Sequence, residues 1–557
     1  MTTPRTFPFA PSRRSFVGLS AAAFATVALS ACSSDAGEEV DVSTQNVGAM
    51  ENYTADMQFK ATEPIQVSML WTDWPDVPVE DTWRIFDLIK ELTNVEITLT
   101  HIPFSDATEK RSLLISAGDA PTLIPLVYTG EEAPFVSSGA VVPMSDYVDQ
   151  MPNFQKYVEE WDLGEMINNL KQADGKYYMV PGLQEVSVPV FSLVIRKDVF
   201  EELTGAVPNT WEELHEGLKL IKEQYPDAVP LADGFEAQSM LNYASHAFGT
   251  KAGWGFGDGT VEGPDGKLAY VAVTDEYKQL LETFHALVAD GLLDRESLTA
   301  SNDGSGAASV SEKFAAETCF AASGSSGTAI EFAQALNETV GEGNYSVTLI
   351  PPPAGPAGDN VEPRNFWHGF MLNSQITQSE NFLATLQFLD WLYYNPDARE
   401  MLRWGEKDVN YTKSEDGTIE LMDGFALESY NINSGAEVDI NVDLGFSTFP
   451  CESTESRALK ESYSTPEFVE YIDNVLSVRT PRDPYPPKPM DEAELEQASL
   501  LATPIKDAVD TATLQFIMGE RDLGEWDAFV GELEAAGLPR YLELLNTARD
   551  RFVEANG

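Results

Sequence analysis

Apolar positions first recur with strand spacing at Ile65-Gln-Val-Ser-Met69, where every second residue is apolar. Asp81 then precedes Ile85, Leu88, Ile89 and Leu92, the i, i+3, i+4, i+7 stripe of a helix with one buried face. Val95-Glu-Ile-Thr-Leu99 predicts a second strand, residues 106–117 a helix, and Thr122-Leu-Ile-Pro-Leu-Val127 a third strand. This β-α-β-α-β order favours a parallel sheet covered by helices. After Gly175-Lys-Tyr-Tyr-Met-Val-Pro-Gly182 the pattern restarts. A strand over Val190–Ile195 leads into helices over 197–203 and 210–224, the second opened by the capping pattern Thr210-Trp-Glu-Glu213. Asp265-Gly266 sits between short alternating runs and predicts a hairpin turn. Further helices are expected near 275–291 and 379–403, with Phe382, Leu386, Leu389 and Tyr393 on one face of the latter. The run Pro481-Arg-Asp-Pro-Tyr-Pro-Pro487 fits neither a helix nor a central strand. It separates the body from three closing helices, the last striped by Tyr541, Leu544, Leu545, Ala548 and Phe552.

The elements group into two α/β lobes: 63–185 with about 305–350, and 186–304 with about 351–480, followed by a hinge segment and C-terminal helices over 481–557. A break between lobes predicts a hinged cleft, and such clefts take ligands where strand ends face each other.

The N-terminus adds a location. Arg13-Arg14-x-Phe16 precedes about fifteen small and apolar residues, too short to span a bilayer, which end at Leu29-Ser-Ala-Cys32. A basic flank, short apolar core and small residues before a cut site describe an export signal over 1–31. The arginine pair resembles a twin-arginine signal, and the ending resembles a bacterial lipobox whose cysteine, Cys32, is lipidated. Residues 32–62, rich in Ser, Asp, Glu and Thr, read as a flexible tether.

Removing residues 1–31 takes away three arginines and no acid, leaving 32 basic against 90 acidic residues and a net charge of −58. That balance argues against binding nucleic acid or an anionic membrane surface, so membrane attachment is expected through the lipid only. Cys319 and Cys451 either pair or stay as thiols. The five histidines show no metal-ligand spacing, and neither a cofactor nor a metal is expected.

Four segments in order resemble the substrate-binding lipoproteins of carbohydrate ABC importers, family 1 solute-binding proteins, in the large subclass that handles oligosaccharides of pectin and alginate. They are Ile195-Arg-Lys-Asp-Val-Phe-Glu-Glu-Leu with Pro208-Asn-Thr-Trp-Glu-Glu-Leu214, and Leu287-Val-Ala-Asp-Gly-Leu-Leu-Asp294. The third is Asn395-Pro-Asp-Ala-Arg with Trp404-Gly405 and Tyr411; the fourth is Phe516-Ile-Met-Gly519 with Glu525-Trp-Asp-Ala-Phe-Val530 and Leu533. Two departures stand out. Trp404-Gly-Glu-Lys-Asp408 interrupts a Gly-x-Glu-Gly run common in relatives, and Tyr225-Pro-Asp-Ala-Val-Pro230 is too short and oxygen-poor for the calcium loop some relatives carry there. The resemblance implies a two-lobed fold like the type II periplasmic binding proteins. It also implies capture of an oligosaccharide for an ABC importer by a monomer outside the cytoplasm.

A sugar site needs aromatic plates for C–H faces and polar side chains for hydroxyl edges. Trp71, Asp73 and Trp74 follow the first strand, Tyr128 ends the third, and Glu185 lies in the crossing between lobes. Trp254 stands among glycines in Lys251-Ala-Gly-Trp-Gly-Phe-Gly257, near where a tryptophan stacks on sugar in the related subclass. Trp367 and His368 open a segment expected in the second lobe. Trp404 and Lys407 occupy the altered motif, where the lysine suits a uronate. Ser325 precedes a helix start able to donate to a ligand oxygen, or is its N-cap. No catalytic residue is expected. An anchored hydrolase or lyase, an adhesion protein and a peptide-binding importer component are the competing readings. Acidic pairs do not discriminate among ninety carboxylates, and no Gly-x-Ser-x-Gly nucleophile elbow is present.

Overall fold

The computed structural model describes residues 41–75, 77–263, 265–299, 305–448, 454–482 and 487–556. The export signal, Cys32 and Cys451 lie outside them. In chain order the strands are β1 (Ile65–Asp73), β2 (Val95–Pro103), β3 (Leu123–Val127), β4 (Val180–Leu183), β5 (Ser192–Arg196) and β6 (Leu231–Ala232). They continue with β7 (Thr260–Glu262), β8 (Leu268–Tyr270), β9 (Ala321–Gly324), β10 (Val347–Ile350), β11 (Asn360–Val361) and β12 (Phe366–Leu372).

The first lobe is built on the sheet β2-β1-β3-β12-β4. β1 runs parallel to β2 and β3, while β12 is antiparallel to both β3 and β4. Successive side chains of β1 go to opposite faces. Met69 joins a core formed with helices Arg84–Thr93 and Phe382–Tyr394, and Leu70 joins a smaller one with helix Ala107–Ala117. Helix Phe382–Tyr394 is buried on nearly every face, not on a single stripe, because it fills the centre of this lobe.

The second lobe carries the sheet β10-β5-β9-β6. β5 is wholly buried: Leu193 and Ile195 face one core and Val194 the other. Thr210 caps helix Trp211–Gln224 as its sequence predicts, its hydroxyl accepting from Glu213 N at 3.1 Å. Strands β7 and β8 form the hairpin expected around Asp265-Gly266. The C-terminal helices, Glu492–Met518, Trp526–Ala535 and Leu538–Asn556, cover this lobe through Ile505, Val509, Phe516, Phe529 and Leu545.

Two expectations about the lobes are overturned. Residues 305–350 do not return to the first lobe, because β9 pairs with β5 and β10 flanks it. Residues 366–404, expected in the second lobe, instead insert β12 between β3 and β4 and supply the first lobe's central helix. The expected tether also ends early. Residues 41–62 pack onto the first lobe, with Phe59 and Ala61 buried. Val47 N donates to Glu380 O at 2.8 Å, Met50 exchanges hydrogen bonds with Gln387, and Tyr53 donates to Asp390 at 3.0 Å. Polar groups on the buried helix hold a segment too poor in apolar residues to announce itself.

Three segments cross between the lobes: 184–191, 351–365 and 455–465. They are tied to one another. Gln184 N donates to Asn365 O at 2.8 Å, Arg364 N to Ser187 Oγ at 2.7 Å, and Glu185 N to Glu455 O at 3.1 Å.

Candidate ligand-binding site

The parallel strands β1, β2 and β3 end at one edge of the first lobe, where antiparallel β12 begins: Gly369 lies opposite Val127, and Phe366 opposite Leu183 at the start of the first crossing. The residues just past these strand ends are exposed aromatics. Trp74 (43% exposed) stacks on Phe104 at 4.1 Å and 29°, and Tyr128 (47% exposed) meets the rings of Trp367 and His368 edge-on at 6.2 and 6.0 Å. The guanidinium of Arg364, in the second crossing, lies 4.3 Å over the Trp367 ring. Asp73 pairs with His101 at 3.2 Å beside Trp74.

Backbone irregularity concentrates at this edge. Leu126 adopts φ +59°, a left-handed conformation costly for a bulky residue, and its carbonyl accepts from Arg111 at 2.5 Å. β12 shifts register on both sides of Gly369, where a Cβ would stand 2.2 Å from Val180 O. Such bulges re-aim side chains beside functional sites. His368 is buried below Tyr128, and burial, with Arg399 and Arg111 adding, pushes its imidazole down to about 3.

The second lobe presents a matching edge, where β6 and β9 end and β5 begins. Trp254, 43% exposed, stands in the 3-10 turn Gly253–Phe256, its ring 5.2 Å from Phe191 and 5.3 Å from Phe235, both edge-on. The glycines around it are needed for contact: a Cβ on Gly255 would lie 2.1 Å from Asn242 Oδ1, and one on Gly253 2.0 Å from Gln238 O. Asp233 is buried beneath this cluster, accepting from Phe235 N at 3.2 Å, and burial pushes its carboxyl up to about 7. Both edges adjoin the crossing segments, so a ligand bridging them spans the hinge.

The expected residues separate accordingly. Asp73, Trp74, Tyr128, Trp367 and His368 gather at the first edge, with Trp367 and His368 on the first lobe and not the second. Trp254 forms the second edge. Ser325 is an N-cap, its amide bonded to Thr328 in a capping box. Glu185 is exposed in the crossing and accepts from Arg457 N at 2.6 Å. Trp71 is not a cleft residue: 2% exposed, it packs against Trp83 and Phe86 because the β1 alternation turns it into the core. Trp404 is likewise core at 1% exposed, its indole N–H donating to Ser462 at 3.0 Å, because helix Pro396–Trp404 carries it inward. Lys407 is exposed in the turn after that helix, beside a Glu406–Arg84 pair, with no contact to either aromatic cluster among the described residues. Phe104, Phe191, Phe235 and Arg364 were not anticipated. Phe104 follows β2 as Trp74 follows β1, a signal available in the sequence. Cys319 is a buried free thiol. A cavity of about 220 Å³ lies apart from these edges, beside the Tyr157–Trp161 stack and Arg399.

Two α/β lobes, joined by three crossings and each presenting aromatic plates beside the hinge, define a two-lobed ligand-binding protein. Residues 85–408 match the family described as bacterial extracellular solute-binding protein, and the chain belongs to it. It is similar to the fructooligosaccharide ABC transporter substrate-binding protein FusA of Streptococcus pneumoniae, 24% identical over 500 residues, 84% of this chain and 87% of the relative. A 215-residue stretch is 25% identical to the polygalacturonan/rhamnogalacturonan-binding protein YtcQ of Bacillus subtilis, covering 38% of this chain and 42% of the relative. The crystal structure of alginate-binding protein AlgQ2 superposes with a TM-score of 0.67 at 18% identity, covering 89% of this chain and all of that one.

Proposed function

We propose that this protein captures an oligosaccharide between its two aromatic edges and delivers it to the membrane subunits of an ABC importer, anchored through a lipid on Cys32. The observation that carries the reading is the pairing of exposed plates across the hinge: Trp74, Phe104 and Tyr128, with the half-buried Trp367, on one lobe, and Trp254 framed by Phe191 and Phe235 on the other. Ring faces suit the C–H faces of sugars, and a ligand touching both lobes favours the closed state through contacts absent from the open one. The names of FusA and YtcQ point to the same cargo class. The protein acts as a monomer and leaves its cargo uncut. No helix among the described residues is long and apolar enough to cross a membrane, so the lipid is the proposed attachment.

Thermal unfolding across an oligosaccharide panel tests this. A true ligand stabilises the fold by about 2.7 kcal/mol at a hundredfold excess over its Kd and is recovered intact by chromatography. New reducing ends or unsaturated products would contradict capture without chemistry. Cys32→Ala should release the protein from the membrane fraction with ligand affinity unchanged; continued sedimentation with membranes would refute the anchor.

A further inference from the structure

The geometry points to Arg111 as a positioning residue for cargo capture: with Glu131 it holds a bulge in β3 that turns Tyr128 out as a plate at the first edge. The inference rests on the capture reading above and adds to it a residue that acts on the sugar only through another.

The pairing of β3 with β12 defines the bulge. Gly369 lies opposite Val127 and Met371 opposite Ile124, so β12 takes two steps where β3 takes three. The extra residue falls at Pro125-Leu126. Pro125 has no N–H to give the ladder, and bulges are among the few places where a strand accepts proline. Leu126 takes φ +59°, which leucine holds only where its surroundings impose it. In a regular strand, residues three apart face opposite sides. Ile124 and Val127 nevertheless both join the smaller core, with Ile115 and Met371. One extra residue thus reverses the alternation from Val127 onward. A regular strand would send Tyr128 to the side of Ile124 and that core. The bulge leaves it exposed, edge-on to Trp367 and His368.

Arg111 supplies what imposes this path. It projects from helix Ala107–Ala117 and is 6% exposed, too buried to meet cargo itself. One arm of its guanidinium donates to the Leu126 carbonyl at 2.5 Å, and the other pairs with Glu131 Oε2 at 2.5 Å. The same carboxylate oxygen accepts from Tyr128 N at 2.9 Å, so one cation grips the chain on both sides of Val127. Glu132 braces the turn that follows, accepting from Gly130 N and Gln172 Nε2, both at 2.8 Å. The planar guanidinium fork suits two acceptors held at fixed places. Strain of this kind collects at ligand clamps, where it sets a contact before the ligand arrives and so lowers the ordering cost of binding.

The test is a double-mutant cycle on the full chain, read by calorimetric titration. The probes are homotrimers of glucose, fructose, galacturonate and mannuronate, of which the tightest binder is carried forward. Arg111→Met and Glu131→Ala should each weaken its binding about tenfold, but less than about twofold once Tyr128 is replaced by alanine. Thermal melts confirm folded protein, and Glu131, with its side chain 31% exposed, is the variant that keeps the fold if Arg111→Met does not. Equal losses with and without Tyr128 would make the pair merely structural and overturn the inference. Wild-type affinity in both single variants, or in Tyr128→Ala, would overturn it too. A ligand-free crystal structure of the better-folded variant decides the same point without cargo: Tyr128 displaced from Trp367 and His368 supports the inference, and Tyr128 unmoved overturns it. Binding of none of the trimers counts against the capture reading alone.

Discussion

Truncating Trp254 to alanine removes the exposed plate of the second lobe while disturbing little else. The residue is 43% exposed. Taking about 250 Å² for a tryptophan, closure over a sugar hides about 100 Å² of ring, worth about 2.5 kcal/mol at 25 cal/mol per Å², a roughly seventyfold loss of affinity. The edge contacts to Phe191 and Phe235 add about 0.5–1.5 kcal/mol each to stability, so the fold survives. Trp71→Ala is the matched control. Trp71 is 2% exposed in the core, and its loss costs about 3–5 kcal/mol of stability while the folded fraction binds as before. Calorimetric titration and urea unfolding on both variants separate the two roles. Wild-type affinity in Trp254→Ala, or abolished binding at unchanged stability in Trp71→Ala, would refute the assignment of plate and core.

Gly255→Ala should weaken ligand binding about tenfold, because its Cβ, 2.1 Å from Asn242 Oδ1, displaces the Trp254 turn; unchanged titrations would mean the turn does not set the plate. Gly369→Ala should destabilise the first lobe by about 3 kcal/mol, since its Cβ meets Val180 O at 2.2 Å; an unshifted urea midpoint would contradict the β12–β4 register. His368, with its pKa depressed to about 3, stays neutral when folded but takes a proton when unfolded below about 6.5. The unfolded state then binds more protons, so stability is lost as pH falls from about 6.5, by about 2 kcal/mol at pH 5. His368→Gln should remove that share of the acid sensitivity in unfolding curves at pH 7 and pH 5; an identical pH dependence would refute it.

What the sequence made legible was local. Thr210 and Glu213 mark a helix start by spacing alone, and the hairpin around Asp265-Gly266 follows from its turn residues. Lobe membership was not legible, because it depends on which distant strand each segment pairs with. β9 is a run of small residues that gains its place only against β5, and β12 slips between two strands that both lie far back along the chain, β3 ending at Val127 and β4 at Leu183. The same limit splits the tryptophans. Trp71 and Trp74 lie three residues apart, and only the face that β1 turns toward helix Arg84–Thr93 decides that the first is core and the second exposed. Trp404 ends a helix that sequence alone read as a broken motif. Arg364 was silent because its position over Trp367 is made by the crossing of chain segments, a tertiary fact with no local signature. The glycines around Trp254 were a true signal: they permit an approach to helix Gln238–Ala247 that any Cβ would block.

The central claim is that one oligosaccharide is held by both edges at once. A crystal structure of the complex with the tightest-binding oligosaccharide tests it most directly. The account predicts sugar rings stacked on Trp254 and, within the same bound molecule, on Trp74, Tyr128 or Trp367. A ligand confined to one lobe, or seated in the cavity beside Tyr157 and Trp161, would contradict it.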